Sequence, residues 1–167
     1  MAADAPASRP YLPDLYLSQQ RFSPPMILVA EDDPGDQVLI REALESNPCR
    51  KQVQLVGDGE EALEYVRRSG RYATPAGGPP PDLILMDLNM PRLSGKEATA
   101  RLKADPSTRS IPIVAFTTSN REEDISHCYA VGVNSYIQKP SDFDRLQEVL
   151  RQVERYWLEV CQPHRAR

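Results

Sequence analysis

The chain has 167 residues, with 20 lysines and arginines against 24 aspartates and glutamates and a formal net charge of −4. At 40% hydrophobic and 26% charged it matches ordinary soluble globular domains and is long enough to bury roughly two-thirds of its unfolded surface. The acidic balance argues against a basic face tracking nucleic acid, the absence of any apolar run near about 18 residues argues against a membrane span or export signal, and three cysteines without paired spacing argue against a disulfide or zinc framework.

Cys49, Cys128 and Cys161 are therefore expected to be reduced thiols in the cytoplasm. Residues 1–25 carry Pro6, Pro10, Pro13, Pro24 and Pro25 and read as an extended arm outside the fold, with Tyr11, Leu12, Leu15, Tyr16, Leu17 and Phe22 available to dock. From Met26 onward, short apolar runs alternate with helical patterns. The runs are Met26–Ala30, Val53–Val56, Leu83–Met86, Ile111–Phe116 and Ser135–Ile137, rich in Val, Ile and Leu as doubly buried strands are. Between them lie helical patterns over 35–46, 59–69, 94–104 and 121–130, and a last one spans 142–160. Asp33 suits a helix N-cap before Pro34, and Gly70 to Pro81 reads as a surface loop. Five strand–helix units in strict alternation predict an α/β, doubly wound, five-stranded parallel sheet with helices on both faces. The folded unit is placed at 26–160 and a tail at 161–167.

In such sheets function gathers at the carboxyl ends of the strands. Strand one is followed by Glu31, Asp32 and Asp33, strand three by Asp87, strand four by Thr117, Thr118 and Ser119, and strand five by Lys139. Singly, each has a blander reading as a cap, a turn former or a solvated charge. Together they place carboxylates, a hydroxyl and an ammonium on one rim. Converging carboxylates repel and raise a pKa, and a hard divalent cation such as Mg²⁺ removes that penalty. The same inventory neutralises a phosphoryl group's oxygens, and an aspartate at its centre can serve as nucleophile. Asp87, the carboxylate of the middle strand, is the expected nucleophile. Glu31 and Asp32 are the expected cation holders, and Thr117 and Lys139 the phosphoryl clamps.

This pattern resembles the receiver domain of two-component response regulators. Ile27-Leu28-Val29-Ala30-Glu31-Asp32 matches the acidic pair of the first strand, and Asp87-Leu88-Asn89-Met90-Pro91 through Ser94-Gly95 the phosphoacceptor loop. Pro112 through Thr117 matches the fourth-strand hydroxyl, and Tyr136 through Lys139-Pro140 the fifth-strand aromatic and lysine. The resemblance covers residues 26 to about 155 and implies the flavodoxin-like strand order 2-1-3-4-5. It implies that a sensor histidine kinase phosphorylates Asp87, that Glu31, Asp32, Asp87 and the Asn89 backbone carbonyl hold Mg²⁺, and that Thr117 and Tyr136 form a switch pair. The transfer is then self-catalysed with slow self-hydrolysis, making a signalling switch and not a metabolic enzyme. A cis Lys139–Pro140 bond is implied as well. Thr118 stands where the family often has a smaller residue and is expected to hinder an attacking water or a phosphatase, and Asp33 is either a cap or a further ligand. Val153-Glu154-Arg155-Tyr156-Trp157-Leu158, with Thr117-Thr118-Ser119 and Glu122-Glu123-Asp124-Ile125, is similar to stand-alone regulators partnered with bacterial phytochrome-type kinases.

Residues 140–167 are too few for a DNA-binding output domain, so output by protein docking is expected. The last helical pattern carries Phe143, Leu146, Val149, Leu150, Val153, Trp157 and Val160 as an apolar stripe. At the standard rise residues 142–160 span roughly 28 Å, whereas a five-residue strand covers about 17 Å. Tyr156, Trp157 and Val160 are thus expected to overhang the sheet. Either the same helix of a second subunit, in a two-fold homodimer through the fourth- and fifth-helix side, or the proline-rich arm would cover them. His127 and Cys128 read as an ordinary helix face, and His164 as a tail residue. Two other classes compete. A haloacid-dehalogenase-like phosphohydrolase uses the same residue types but carries its nucleophile after the first strand, with a second aspartate two positions on, where this chain has Asn89 after Asp87. A degenerate receiver acting as a scaffold would have lost active-site positions, and none is lost here.

Overall fold

The structure, a computed structural model, describes residues 23–73 and 78–161. Within them β1 (Met26–Ala30), β2 (Gln52–Val56), β3 (Leu83–Met86), β4 (Ile113–Thr117) and β5 (Ser135–Gln138) alternate with α1 (Pro34–Glu45), α2 (Gly59–Arg67), α3 (Gly95–Ala104), α4 (Glu122–Ala130) and α5 (Phe143–Glu154). The strands are all parallel, in the order β2-β1-β3-β4-β5. The arm expected over 1–25 lies outside the described residues as far as Phe22. So do residues 74–77 of the expected surface loop and 162–167 of the tail, with His164.

Side chains alternate across each strand, so the apolar runs feed two cores. Leu28, Ala30, Ile84, Met86, Ile113 and Ala115 point to one face, where α2, α3 and α4 close over them with Ala62, Leu63, Ala98, Leu102 and Cys128. Ile27, Val29, Leu83, Leu85, Val114 and Phe116 point to the other, under Ile40 and Leu44 of α1 and Leu146, Leu150 and Val153 of α5. Each Val, Leu, Ile, Met or Phe among them contributes about 1.5–3 kcal/mol on burial. Burial on both faces explains why β1, β3 and β4 read as unbroken apolar runs. The edge strands β2 and β5 are only partly covered.

The helices start where the sequence supplies caps. Asp33, Asp58, Ser94 and Asp142 each accept a hydrogen bond from a backbone N–H three residues on, worth about 1 kcal/mol apiece. Ser94 and Glu97 form a reciprocal capping box. Next to it, a Cβ on Gly95 would lie 1.8 Å from the Asp87 carbonyl oxygen. Only glycine lets α3 begin so close to the end of β3.

Three expectations need correction. β4 begins at Ile113 and not Ile111, because Pro112 has no N–H to give and the Ile111 N–H turns back to the Thr108 carbonyl at 3.0 Å. The Lys139–Pro140 bond is trans. The last helix is not one α-helix over 142–160: α5 ends at Glu154, and Arg155–Val160 form a π turn, closed by a Cys161 N–H donating to the Tyr156 carbonyl at 2.7 Å. The wider turn seats Leu158 and part of Trp157 on the α1–α5 core. Trp157 is thus largely covered by its own subunit, while Tyr156 and Val160 stay exposed at 53% and 57%.

Candidate functional site

Parallel strands bring their carboxyl ends to one edge, and the register fixes what meets there. Ala30 pairs with Met86, and Met86 with Ala115. The residues just beyond, Glu31, Asp32 and Asp87, therefore share a level with Thr117 at the end of β4. Thr117 in turn pairs with Gln138, which sets Lys139 beside them. The Asp87 N–H donates to the Ala30 carbonyl at 2.9 Å and the Lys139 N–H to the Thr117 carbonyl at 2.8 Å, extending the ladder past the strands and fixing the rim.

Glu31, Asp32 and Asp87 each offer an oxygen, all within 4.8 Å of one another. Glu31 and Asp87 are buried, whereas Asp32 is exposed. The Lys139 ammonium enters this acidic group with its side chain 7% exposed. It bonds Glu31 Oε2, donates to Asp36 Oδ2 at 2.9 Å and lies 3.6 Å from Asp87 Oδ2. It gets there from a trans peptide because the end of β5 already abuts β4. Burial alone would drive the Lys139 proton off, but Glu31, Asp87 and Asp36 outweigh it and hold the ammonium above its ordinary range. Burial pushes the Glu31 carboxyl up, and Lys139 and the Asp33 N–H only partly offset that push.

The remaining residues take distinct places. Asp33 spends its carboxylate on the Asp36 N–H at 2.8 Å, so it is the α1 cap. Asn89 is exposed two residues beyond Asp87. Thr117 is fully buried, and its Oγ1 accepts from the Ser119 N–H at 3.4 Å. Tyr136 is half-buried and donates its hydroxyl to the Ser119 carbonyl at 3.0 Å. Thr118 is exposed.

Four residues with contacts at or near the rim, Asp36, Ser119, Asp124 and Lys96, were given no individual role from the sequence. Asp36 was detectable in principle: it is the third residue of α1, on the helical turn that faces the rim. Ser119, Asp124 and Lys96 form a chain of contacts; Ser119 and Asp124 lie in the segments that carried the resemblance, but nothing local marks that they bond each other or Lys96. Chemically, the rim offers oxygen donors only, with four carboxylates, counting Asp36, to one ammonium. That donor set suits a hard divalent cation.

The sequence profile of the response regulator receiver domain matches residues 27–151. The response regulator Rcp1 of Synechocystis sp. is 33% identical over 144 residues, covering 86% of this chain and 96% of its own length. The crystal structure of the phosphorylated cyanobacterial phytochrome response regulator RcpA superposes with a TM-score of 0.78 at 38% identity, over 84% of this chain and 99% of its own. The Mn²⁺-bound form of Rcp1 superposes with a TM-score of 0.76 at 33% identity, over the same shares of the two chains.

Proposed function

The chain belongs to the response regulator receiver domain family, and from that premise we propose that Asp87 accepts a phosphoryl group from the phosphohistidine of a sensor kinase. The observation that carries this reading is the meeting of Asp87 with Glu31, Asp32 and a buried Lys139 at one rim. A carboxylate oxygen of Asp87 attacks phosphorus, the P–N bond breaks, and the imidazole leaves with the electron pair, so an acyl phosphate forms. Lys139, already held as an ammonium, balances charge on the phosphoryl oxygens, and the Thr117 hydroxyl at the same rim donates to one of them. Glu31, Asp32, Asp87 and the Asn89 carbonyl are the residues to hold Mg²⁺. When bound, the cation neutralises the phosphoryl charge that four carboxylates would otherwise repel. No other enzyme chemistry is assigned to the chain, and slow self-hydrolysis resets it.

Thr117 and Tyr136 report the phosphorylation as a switch pair, and the change is read by docking of other proteins, not by contact with nucleic acid. Among the described residues no helix is long and apolar enough to cross a membrane. We place the protein in the cytoplasm, with residues 26–160 as the receiver domain, an N-terminal arm over 1–25 and a tail over 161–167. Likeness to Rcp1 and to the phytochrome response regulator RcpA supports a phytochrome-type kinase as partner. Exposed Tyr156 and Val160, flanking the seated edge of Trp157, support a homodimer along the last helix.

Phosphotransfer from a panel of purified sensor kinases, in Mg²⁺, tests this. Rapid transfer from a phytochrome-type kinase, lost in Asp87→Asn, is expected. Transfer from unrelated kinases alone would reject the phytochrome partnership, and transfer from none would reject the receiver role.

A further inference from the structure

Ser119, in the loop between β4 and α4, uses three of its groups on residues that matter to the switch. Its N–H donates to Thr117 Oγ1 at 3.4 Å, its carbonyl accepts from the Tyr136 hydroxyl at 3.0 Å, and its own hydroxyl donates to Asp124 Oδ2 at 2.5 Å. The other oxygen of Asp124 accepts from the Lys96 ammonium at 2.5 Å. Asp124 is buried at 7% exposure in the first turn of α4. Lys96 is the second residue of α3, directly after the glycine that lies against the Asp87 carbonyl. A contact chain therefore runs from the Asp87 loop through α3 to the peptide between Thr117 and Tyr136 without passing through a phosphoryl group.

We propose that Asp124, held by Lys96, is a positioning residue that fixes Ser119 between Thr117 and Tyr136 and so sets how readily the rim takes up a phosphoryl group. This rests on the reading of Asp87 and the switch pair given above. Hydrogen bonds to an ionised acceptor are about twice as strong as neutral ones, and those of Asp124 hold a loop whose neighbours Thr118 and Asn120 are exposed. The Ser119 backbone cannot shift without disturbing the Thr117 hydroxyl through its N–H or the Tyr136 hydroxyl through its carbonyl. Lys96 and then Ser119 also hold the Asp124 carboxyl below its ordinary range, so it stays ionised near neutral pH. A purely structural role, closing an α4 start whose N-cap Arg121 supplies no side-chain bond, would change melting temperature and nothing at the rim.

The test uses the full chain labelled with 3-fluorotyrosine, the Tyr136 resonance being assigned through Tyr136→Phe, together with affinity for beryllofluoride in Mg²⁺. Ser119→Ala and Asp124→Asn are each expected to weaken beryllofluoride binding about tenfold and to move the Tyr136 resonance. The double variant should be no worse than either single one, and Ser119→Thr, which keeps the hydroxyl, should restore both readouts. Affinity unchanged within about twofold and an unmoved Tyr136 resonance would overturn the proposal. If Asp124→Asn does not fold, Lys96→Met, which removes only the anchor, is read in its place. If the wild-type chain itself fails to bind beryllofluoride, the reading of Asp87 falls. The Tyr136 resonance of the unliganded variants then decides alone, a moved resonance supporting the anchor and an unmoved one overturning it.

Discussion

Two buried lysine–carboxylate pairs sit at opposite ends of the sheet. At the carboxyl rim Lys139 pairs with Glu31, side chains 7% and 2% exposed. At the amino end Lys51, just before β2, pairs with Glu154 at the end of α5, 4% and 3% exposed and 2.8 Å apart. Burial pushes both glutamates up. The lower pair closes on itself: Glu154 also accepts from the Asn47 amide at 2.7 Å, and the group ties the last helix to the loop before β2. The upper pair does not close, because Asp36 and Asp87 crowd the same ammonium and Asp32 lies beside Glu31 and Asp87. Burying a pair gives little net stability in itself. The rim carries a surplus of negative charge, on which its proposed role rests, and the lower pair, lacking one, is a clasp.

The largest effects should separate the two lysines. Lys139→Met is expected to slow phosphoryl uptake at Asp87 by about 10²–10³-fold, the cost of losing one preorganised charge. Lys51→Met should leave uptake unchanged yet destabilise the fold by about 3–5 kcal/mol, since it strands Glu154. Urea unfolding and uptake measured on both variants check this, and equal effects on the two readouts would erase the distinction. Gly95→Ala comes next. Its methyl group would force α3 away from the Asp87 carbonyl, costing about 1–3 kcal/mol and, unlike Lys51→Met, lowering uptake as well.

The smallest effect is a pH dependence. A carboxyl raised on folding binds its proton more tightly in the native state than in the unfolded one, so stability falls as pH rises through the window between the two values. Glu154 is such a group. Wild type should lose stability relative to Glu154→Gln as pH rises above the unfolded glutamate value. Asp58 has the opposite sign. Burial pushes it up, but the Glu61 N–H and Arg92 outweigh that and hold it low, so its contribution is complete above the unfolded aspartate value and is lost as pH falls below it. Urea titrations across both windows distinguish the two signs.

Much of this was legible because β1, β3 and β4 are buried on both faces and so wrote their burial directly into runs of Val, Ile and Leu. Parallel strands also put whatever follows them on one edge, which is why Glu31, Asp32, Asp87, Thr117 and Lys139 could be grouped from a linear chain. The π turn was not legible, because Val153, Trp157 and Val160 are spaced as an α-helical stripe and nothing local marks that Leu158 is drawn into the core. Nor were the Lys51–Glu154 clasp and the Lys96–Asp124–Ser119 chain. Lys51, Glu154, Lys96 and Asp124 look like solvated surface charges, and Ser119 like one more loop hydroxyl, until tertiary packing brings them together.

Intact-mass and peptide mapping after treatment with acetyl phosphate bear most directly on the rim. With Mg²⁺ present, one phosphoryl group per chain is expected, borne by Asp87 and lost in Asp87→Asn or with a chelator. A label on any other residue, or uptake that persists without Asp87, would contradict the assignment.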